Sequence, residues 1–193
     1  MNSPATVLVA AQKTVRHRDA VQKEREGNAM SVNSSIETGI AMAPRRARRF
    51  AAIVDLENLA IVDGARISVE RMQRLLAAVE PRVVGMPVRV ATGSNILRHY
   101  ATLLPSGRWG LTLVPSGPDA ADAALCDAAL EFAHCGVTDL VVVGGDHAYV
   151  PLARYARLHV VSHADHLSRQ LRLASTSVTL LPDVRPTGHR VAG

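Results

Sequence analysis

From residue 50 onward, short runs of apolar and β-branched residues alternate with longer amphipathic or alanine-rich stretches. The short runs predict six strands, at residues 50–55, 88–92, 111–114, 140–143, 159–161 and 177–180. The stretches between them predict helices at residues 69–79, 96–104, 120–134, 149–157 and 167–174. Strict alternation of strand and helix is typical of a parallel sheet with right-handed crossovers. The predicted fold is therefore α/β and Rossmann-like, a parallel sheet of five to six strands with helices on both faces.

The composition divides the chain into three parts. Residues 1–44 are rich in Ser, Asn, Gln, Lys and Ala and lack strand alternation, which predicts a flexible or marginally helical N-terminal extension. Residues 45–182 hold the predicted fold, and residues 183–193 are expected to form a loose tail. Met42 is a candidate start of translation. With 193 residues and 48% hydrophobic content, the chain is long enough for one domain to bury a core.

The charge of the chain favours a polyanionic partner. The formal net charge is +5 and the isoelectric point is near 9.9, which suits nucleic acid such as RNA. Part of the basic excess lies in Arg45, Arg46, Arg48 and Arg49, and such a run is equally typical of a solvated or disordered segment. Aromatic residues make up only 3% of the chain, so stacking of bases on aromatic rings is not the expected mode of recognition.

Hydropathy and cysteine usage predict a cytoplasmic protein without a membrane partner. No apolar run approaches the roughly 20 residues that cross a bilayer. The basic residues near the apolar run 5–11 follow it instead of preceding it, unlike those of a secretory signal. Cys126 and Cys135 are predicted on opposite faces of one helix, where they cannot form a disulfide, and a reduced setting follows. The sequence leaves the oligomeric state open, with a homodimer among the alternatives.

Two carboxylates stand at the ends of predicted strands. Asp55 ends the first strand, and Asp146 follows the fourth after Gly144 and Gly145, which would let the backbone bend and approach a ligand closely. In an open α/β sheet, ligands bind at this carboxyl edge. Carboxylates about 5 Å apart repel by roughly 3 kcal/mol at an effective dielectric constant of about 20. A shared site therefore implies a cation, a proton or a catalytic use.

Asn58 and Asp122 extend this candidate site. Asn58 follows Asp55 by three residues and could orient a phosphate or a water, although an Asx turn closing the strand explains Asp55 equally well. Asp122 falls in the first turn of the helix predicted at 120–134, near the sheet edge and beside its core face. An acid there also complements the helix dipole without any chemistry.

The remaining acids and the histidines carry weaker signals. Asp119 or Ser116 is expected to cap the helix, and Asp127 is expected to be solvated. Glu57 could join this acidic face, but it is interpreted as a solvated loop residue. His147 adjoins Asp146 and could contact a phosphate or a leaving group. His163 and His166 have a short metal-ligand spacing but lack a third ligand, so they are interpreted as loop and helix-start residues.

Three ordered motifs within residues 50–181 resemble the NYN branch of the PIN-like ribonuclease superfamily. They are Val-Asp-Leu-Glu-Asn-Leu at 54–59, Gly-Pro-Asp-Ala-Ala-Asp-Ala-Ala-Leu at 117–125, and Val-Val-Val-Gly-Gly-Asp-His-Ala-Tyr-Val-Pro-Leu at 141–152. The resemblance implies a PIN-like fold whose acidic pocket holds Mg²⁺ or Mn²⁺ and hydrolyses phosphodiester bonds in RNA. It also implies that Asp55, Asp122 and Asp146 bind the metal, with Asn58 supporting Asp55 as a fourth catalytic residue.

One position departs from the family pattern. The family often has Ser-Gly-Asp-Ser-Asp-Phe where this chain places Ala148, so a second acid is missing. The alternative function is therefore a non-catalytic RNA-binding NYN-like module with a degenerate metal site. Its phosphate contacts would come from basic residues such as Arg98, Arg154, Arg157, Arg169 and Arg172. A nucleotide-binding Rossmann protein is a third reading, but no glycine-rich phosphate loop follows the first strand.

Overall fold

The computed structural model describes residues 47–105, 107–115 and 117–183, and it contains a six-stranded parallel sheet in the order β5-β4-β1-β6-β7-β8. The strands of the chain are β1 Phe50–Asp55, β2 Ile61–Val62, β3 Ala65–Arg66, β4 Val88–Gly93, β5 Gly110–Val114, β6 Asp139–Val143, β7 Arg157–Ser162 and β8 Ser177–Leu180. The α-helices are α1 Leu56–Ala60, α2 Val69–Val83, α3 Ser94–Tyr100, α4 Ala120–His134 and α5 Arg169–Ala174. Two 3₁₀ helices span Ala101–Leu103 and His147–Arg154. The predicted extension 1–44 and nearly all of the predicted tail lie outside the described residues.

The predicted fold class is confirmed. Each of the six predicted strands is present, with ends that agree within two residues, and the helix predicted at 120–134 has the same ends in the structure. The short helix α1 and the β2–β3 hairpin, which follow β1 directly, were not predicted. In the described part of the chain, no helix is both long and apolar enough to cross a membrane.

One predicted helix is wrong in type and extent. Residues 149–154 belong to the 3₁₀ helix His147–Arg154, residues 155 and 156 follow it, and Arg157 already belongs to β7. Pro151 lies inside this segment and has no N–H to donate, which disfavours regular α-helical hydrogen bonding there. Smaller differences occur elsewhere: α2 continues one turn beyond residue 79 to bury Val83, and α5 begins only after Ser168, whose side chain accepts from the Leu171 N–H.

The sheet separates two apolar cores because alternate strand residues point to opposite faces. Ala52 and Val54 of β1 pack with α2 and α3, whereas Ala51 and Ile53 pack on the other face with α4, α5 and the 3₁₀ helix His147–Arg154. Asp55 follows Ala51 and Ile53 in this alternation and therefore points to the same face of the sheet. Its side chain is therefore directed toward the face that α4 covers.

The strand order places a topological switch between β1 and β6. From β1 the chain moves outward through β4 to β5, and α4 then carries it back to β6 on the opposite side of β1. Helices on either side of such a switch depart to opposite faces and leave a crevice at the carboxyl ends of the two strands. Asp55 ends β1 and Asp146 follows β6, so both predicted acids flank this crevice.

At the opposite, amino edge, an ion pair between the buried Asp139 and the half-exposed Arg157 fixes the start of β6. The Asp139 side chain is inaccessible to solvent and accepts hydrogen bonds from Nε and Nη2 of Arg157, at 2.9 and 2.6 Å. The Thr138 hydroxyl donates to it at 2.7 Å, and Nε2 of His159 lies 3.0 Å away. This cluster holds the first residues of β6 and β7 together.

Candidate functional site

A pocket at the carboxyl edge of the sheet brings together all four predicted site residues. Its volume is about 180 Å³, and it is lined by Asp55, Glu57, Asn58, Gly117, Asp119, Ala121, Asp122 and Asp146. These residues come from β1, α1, the segment before α4, the first turn of α4 and the loop after β6. The predicted convergence of distant acids at this edge is therefore present in the fold.

Asp55 is the most deeply buried acid of the pocket. Its side chain caps α1, with Oδ1 accepting from the Asn58 N–H at 2.9 Å and Oδ2 lying 2.9 Å from the Tyr149 hydroxyl. The pKa of Asp55 is raised to about 6, chiefly by burial, and the negative charges of Asp122 and Glu57 contribute to this rise. Burial and the neighbouring negative charges thus destabilise the ionised form of Asp55, and a bound cation would stabilise it.

Asp122 and Asp55 are linked through Tyr149. The Tyr149 hydroxyl lies 2.6 Å from Oδ1 of Asp122 as well as 2.9 Å from Asp55, and the tyrosine is fully buried. A phenol carries one proton and donates to one carboxylate at a time. Burial and the two neighbouring carboxylates raise the pKa of Tyr149 well above its ordinary value, so the phenol stays protonated. One donor thus serves two acceptors in this part of the pocket.

The start of α4 differs from the predicted cap. Asp119 occupies the N-cap position with a left-handed backbone conformation (φ 60°), but its side chain makes no capping hydrogen bond and instead lines the pocket. Ser116, the other predicted cap, lies outside the described residues. Asp127 is exposed farther along α4, as predicted. Of the acids on α4 and at its N-cap, Asp119 and Asp122 line the pocket.

Asn58 connects the end of β1 to the loops after β6 and β7 through hydrogen bonds. Its side-chain oxygen accepts from the Gly145 N–H at 3.1 Å, its own N–H donates to Asp55, and its carbonyl oxygen lies 3.3 Å from Nδ1 of His166. The predicted role in orienting a phosphate or water is not tested by these contacts. What they establish is that Asn58 fixes the loop after β6 against the end of β1.

Asp146 occupies the pocket rim beside His147. One carboxylate oxygen of Asp146 accepts from the Ala148 N–H at 2.7 Å and so caps the 3₁₀ helix that carries Tyr149. Nδ1 of His147 lies 2.9 Å from the same oxygen, and the His147 side chain is 72% exposed. The histidine therefore lies where it could reach a substrate entering from solvent.

Gly144 and Gly145 are required by contacts within the protein. A Cβ on Gly144 would approach the Cβ of Asp55 at 3.2 Å, and a Cβ on Gly145 would lie 2.2 Å from the His166 carbonyl oxygen. The sequence analysis expects these glycines to let the backbone approach a ligand. At Gly145 the close neighbour is instead the protein's own loop after β7. The glycines allow β6, β1 and that loop to meet behind the pocket.

Gly145→Ala is expected to lower the free energy of unfolding by about 2 kcal/mol, because the contact with a backbone oxygen forces the loop carrying Asp146 to shift. Urea unfolding measures this change. Gly117→Ala is the matched control, since Gly117 lines the same pocket and a Cβ there would meet nothing within 4 Å. Equal midpoints for the two variants would contradict the expectation.

Glu57 does not behave as the predicted solvated loop residue. It lies in α1, half-buried, and its Oε1 accepts from the Gly93 N–H at 2.8 Å. It lines both the acidic pocket and an adjoining pocket of about 280 Å³ that also contains Asn95 and Ile96. Glu57 therefore belongs to the acidic surface, which was the alternative interpretation of this residue, and no local sequence pattern predicts its contact with β4.

His163 and His166 lie in the loop after β7, with ring centroids 5.3 Å apart. His163 is buried, and burial lowers its pKa. Both rings line a separate pocket of about 260 Å³ with Val62 and Leu181. Both are loop residues and neither begins a helix, because α5 starts at Arg169. His166 meets the residues around the acidic site at Asn58 and, through its carbonyl oxygen, at Gly145.

The donor set of the acidic pocket suits a hard divalent cation, because carboxylate and amide oxygens line it. Within the described ranges, no three His, Cys, Asp or Glu side chains form a group that could hold a metal ion by themselves. The Tyr149 hydroxyl stands between Asp55 and Asp122, and His147 stands against Asp146. The oxygen donors of the pocket are of the kind that Mg²⁺ or Mn²⁺ prefers, and such ions are commonly bound through one or two carboxylates and keep several waters.

Tyr149 is the site residue that sequence reasoning missed. The sequence pattern places it only at the start of the helix predicted at 149–157, and apolar periodicity does not distinguish a buried ring from a buried ring whose hydroxyl bonds two acids. One signal was available: the resembled pattern has Phe at the position of Tyr149. A hydroxyl added at a buried position needs a partner, and the nearby acids of the motifs were the obvious ones.

No family model and no curated protein matches this chain. Among solved structures, it is similar to a crystal structure of a protein of unknown function from Vibrio parahaemolyticus RIMD 2210633, with a TM-score of 0.54 and 17% sequence identity. That match covers 74% of this chain and 98% of the other chain. At this identity the likeness concerns the fold alone. Fold and pocket together define a Rossmann-like α/β protein with an acidic pocket at the carboxyl edge of its sheet.

Proposed function

We propose that this protein is a metal-dependent endoribonuclease of the NYN branch of the PIN-like superfamily. The observation that carries the proposal is the convergence of Asp55, Asn58, Asp122 and Asp146 on one pocket at the topological switch of a parallel sheet. The acids come from three separate regions of the chain, and two of them are bridged by a buried hydroxyl. Acids scattered for solubility alone have no reason to meet in this way.

In the proposed site, Asp55, Asp122 and Asp146 would hold Mg²⁺ or Mn²⁺, one or two of them as direct ligands and the remainder through bound waters. The bound cation would supply an activated water and would offset the negative charge that develops on the phosphate. The protein's own contribution is positioning: the Asn58 N–H orients Asp55, and the Asn58 side chain fixes the loop that presents Asp146. His147, exposed beside Asp146, is placed to contact the phosphate or the leaving oxygen.

RNA is the proposed partner because the chain is basic while the pocket is acidic. A net charge of +5 favours a polyanion, and the local negative charge would then need a cation between pocket and phosphate. Arg98, exposed in α3, is a candidate phosphate contact near the adjoining pocket that contains Asn95. Arg157 is not suited to that role, since its guanidinium is bound to Asp139 at the opposite edge. A cytoplasmic setting goes with this proposal.

The direct test is incubation of the purified protein with single-stranded and structured RNA. Cleavage is expected with Mn²⁺ and is expected to stop in EDTA. Asp146→Asn should slow cleavage at least about tenfold, because one carboxylate of the site is removed. Gel analysis of end-labelled RNA measures the rate.

Asp127→Asn is the matched control for that experiment. Asp127 is an exposed acid of α4, and its removal changes the net charge equally without touching the pocket. Cleavage that persists in EDTA, or that is equal in the Asp146→Asn and Asp127→Asn variants, would contradict the proposal.

A non-catalytic RNA-binding module is the second candidate. It is favoured by Ala148, which stands where the family often has an acid, and by the finding that the described acids do not form a three-ligand group. This candidate predicts salt-dependent RNA binding without cleavage in Mn²⁺. The same gel, read together with a filter-binding assay, separates it from the enzyme.

A further inference from the structure

The hydroxyl of Tyr149 occupies the position between the two acids that are deepest in the pocket. It lies 2.9 Å from Oδ2 of Asp55 and 2.6 Å from Oδ1 of Asp122, across 94 and 27 residues of sequence respectively. The side chain of Tyr149 has no exposed surface. The hydroxyl therefore has no water to bond, and its hydrogen bonding is limited to these carboxylates.

The two carboxylates depend on this hydroxyl to different degrees. Asp55 is buried and is also fixed by the Asn58 N–H. Asp122 is half-buried on the surface of α4, and the Tyr149 hydroxyl is the hydrogen-bond partner that the described part of the chain provides for its side chain. Without the hydroxyl, Asp122 could rotate toward solvent, whereas Asp55 could not.

Tyr149 is itself held rigidly. It belongs to the 3₁₀ helix His147–Arg154, which begins at the Asp146 cap. Its ring packs against the backbone at Gly144, where an added Cβ would lie 3.4 Å from Cε2. The ring is thus anchored to the loop after β6, and its hydroxyl reaches across to β1 and α4. A single side chain connects the three segments that supply Asp55, Asp122 and Asp146.

We propose that Tyr149 is a positioning residue of the acidic site, which holds Asp122 beside Asp55 so that the two carboxylates can share one divalent cation. This inference rests on the proposed function, because it assumes that the pocket binds Mg²⁺ or Mn²⁺. Residues that hydrogen-bond to metal-binding side chains fix their orientation, and their loss typically weakens metal affinity about 10- to 100-fold. Tyr149 carries this role through its hydroxyl alone, since the ring remains in Tyr149→Phe.

The test is titration of the full-length protein with Mn²⁺, followed by electron paramagnetic resonance of the free ion at one fixed pH. Tyr149→Phe is expected to bind Mn²⁺ about tenfold more weakly than the unchanged protein. Tyr100→Phe is the matched control, because Tyr100 is also fully buried and its hydroxyl donates to the Ile67 carbonyl away from the pocket. Thermal unfolding in EDTA verifies that both variants are folded.

A double-mutant cycle separates positioning from a merely structural role. If Tyr149 acts through Asp122, then Tyr149→Phe should weaken Mn²⁺ binding much less in the Asp122→Asn background than in the unchanged protein. A structural effect on the fold would lower affinity equally in both backgrounds.

The possible results distinguish this inference from the proposed function. Mn²⁺ binding by the unchanged protein that Tyr149→Phe leaves within twofold would overturn the positioning role and leave the nuclease proposal in place. Equal losses for Tyr149→Phe and Tyr100→Phe, or additive effects in the cycle, would overturn it as well. Absence of Mn²⁺ binding by the unchanged protein would overturn both.

Discussion

Asp55→Asn is expected to make the metal-free protein more stable and to abolish RNA cleavage in the presence of Mn²⁺. The Asp55 pKa is raised from 3.8 to about 6, chiefly by burial, so the ionised side chain destabilises the folded state at neutral pH. An asparagine has no charge to bury, and its Nδ2–H could donate to the Tyr149 oxygen while the Tyr149 hydroxyl donates to Asp122. The asparagine amide at position 55 would thus add a second hydrogen-bond donor to a cluster in which one phenol proton faces two carboxylates.

The sign of the pH dependence follows from the raised pKa. Between about pH 4 and pH 6 the folded protein binds more protons at Asp55 than the unfolded chain, so the free energy of unfolding falls as pH rises through this window. Two pKa units correspond to about 3 kcal/mol, and relaxation of the pocket reduces this. Asp55→Asn should therefore be more stable by about 1–3 kcal/mol above pH 7 in EDTA, with the advantage lost near pH 4.

Urea unfolding in EDTA at several pH values measures the stability, and RNA cleavage in Mn²⁺ measures the activity. Removal of a group that stabilises charge at a reaction centre costs about 100-fold or more in rate, and the same is expected here. Asp127→Asn serves as the control for both measurements, since that exposed acid should change neither. An Asp55→Asn variant that is less stable than the unchanged protein in EDTA at neutral pH would contradict the prediction.

Asp139→Asn is expected to have the largest effect on stability, with a loss of about 3 kcal/mol. The Asp139 side chain is inaccessible to solvent and binds Arg157 through two hydrogen bonds, with Thr138 and His159 completing its contacts. An asparagine would place an N–H group against the guanidinium and would leave that cation without its partner. Half of the Arg157 side chain remains in contact with water, which keeps the expected loss below that of a fully buried pair.

The pH dependence at Asp139 has the opposite sign to that at Asp55. Hydrogen bonds from Arg157 hold the pKa of Asp139 far below its usual range, with His159 and Thr138 contributing. The stabilisation is therefore complete above about pH 4 and is lost as pH falls toward the lowered pKa. Acidification thus removes the stabilisation contributed by Asp139 but relieves the destabilisation at Asp55, so urea unfolding of the two variants at several pH values separates the two contributions.

The readout that distinguishes the two acids is activity per folded molecule. Asp139 lies at the amino edge of the sheet, far along β6 from the loop that carries Asp146. At a temperature where Asp139→Asn is folded, its cleavage rate in Mn²⁺ should match that of the unchanged protein. A stability loss below about 1 kcal/mol, or a selective loss of activity, would contradict this assignment.

The candidate site was predictable from the sequence up to the level of strand ends. Apolar runs that end at Asp55 and before Asp146 placed both acids at one edge, and helical periodicity placed Asp122 in the first turn of α4 while separating it from Asp127. These inferences use only periods of two and 3.6 residues, which are local properties of the backbone. They held because strands and helices of this length form wherever their apolar faces are buried.

The contacts that make the site specific could not be predicted in the same way. Tyr149 with Asp55, Glu57 with Gly93, and Gly145 with the His166 carbonyl each join residues that are distant or belong to different loops. Which side chains meet depends on strand order and on which face each helix covers, and both result from packing of the whole sheet.

By itself, the sequence determined the α/β fold, the strands of the sheet and the edge at which its acids lie, because hydrophobic periodicity specifies what must be buried. Only the tertiary structure decided that β6 lies beside β1 and that a tyrosine hydroxyl stands between Asp55 and Asp122. A buried hydroxyl bonds to whatever acceptor the packing brings within reach, and that choice is made in space and not along the chain.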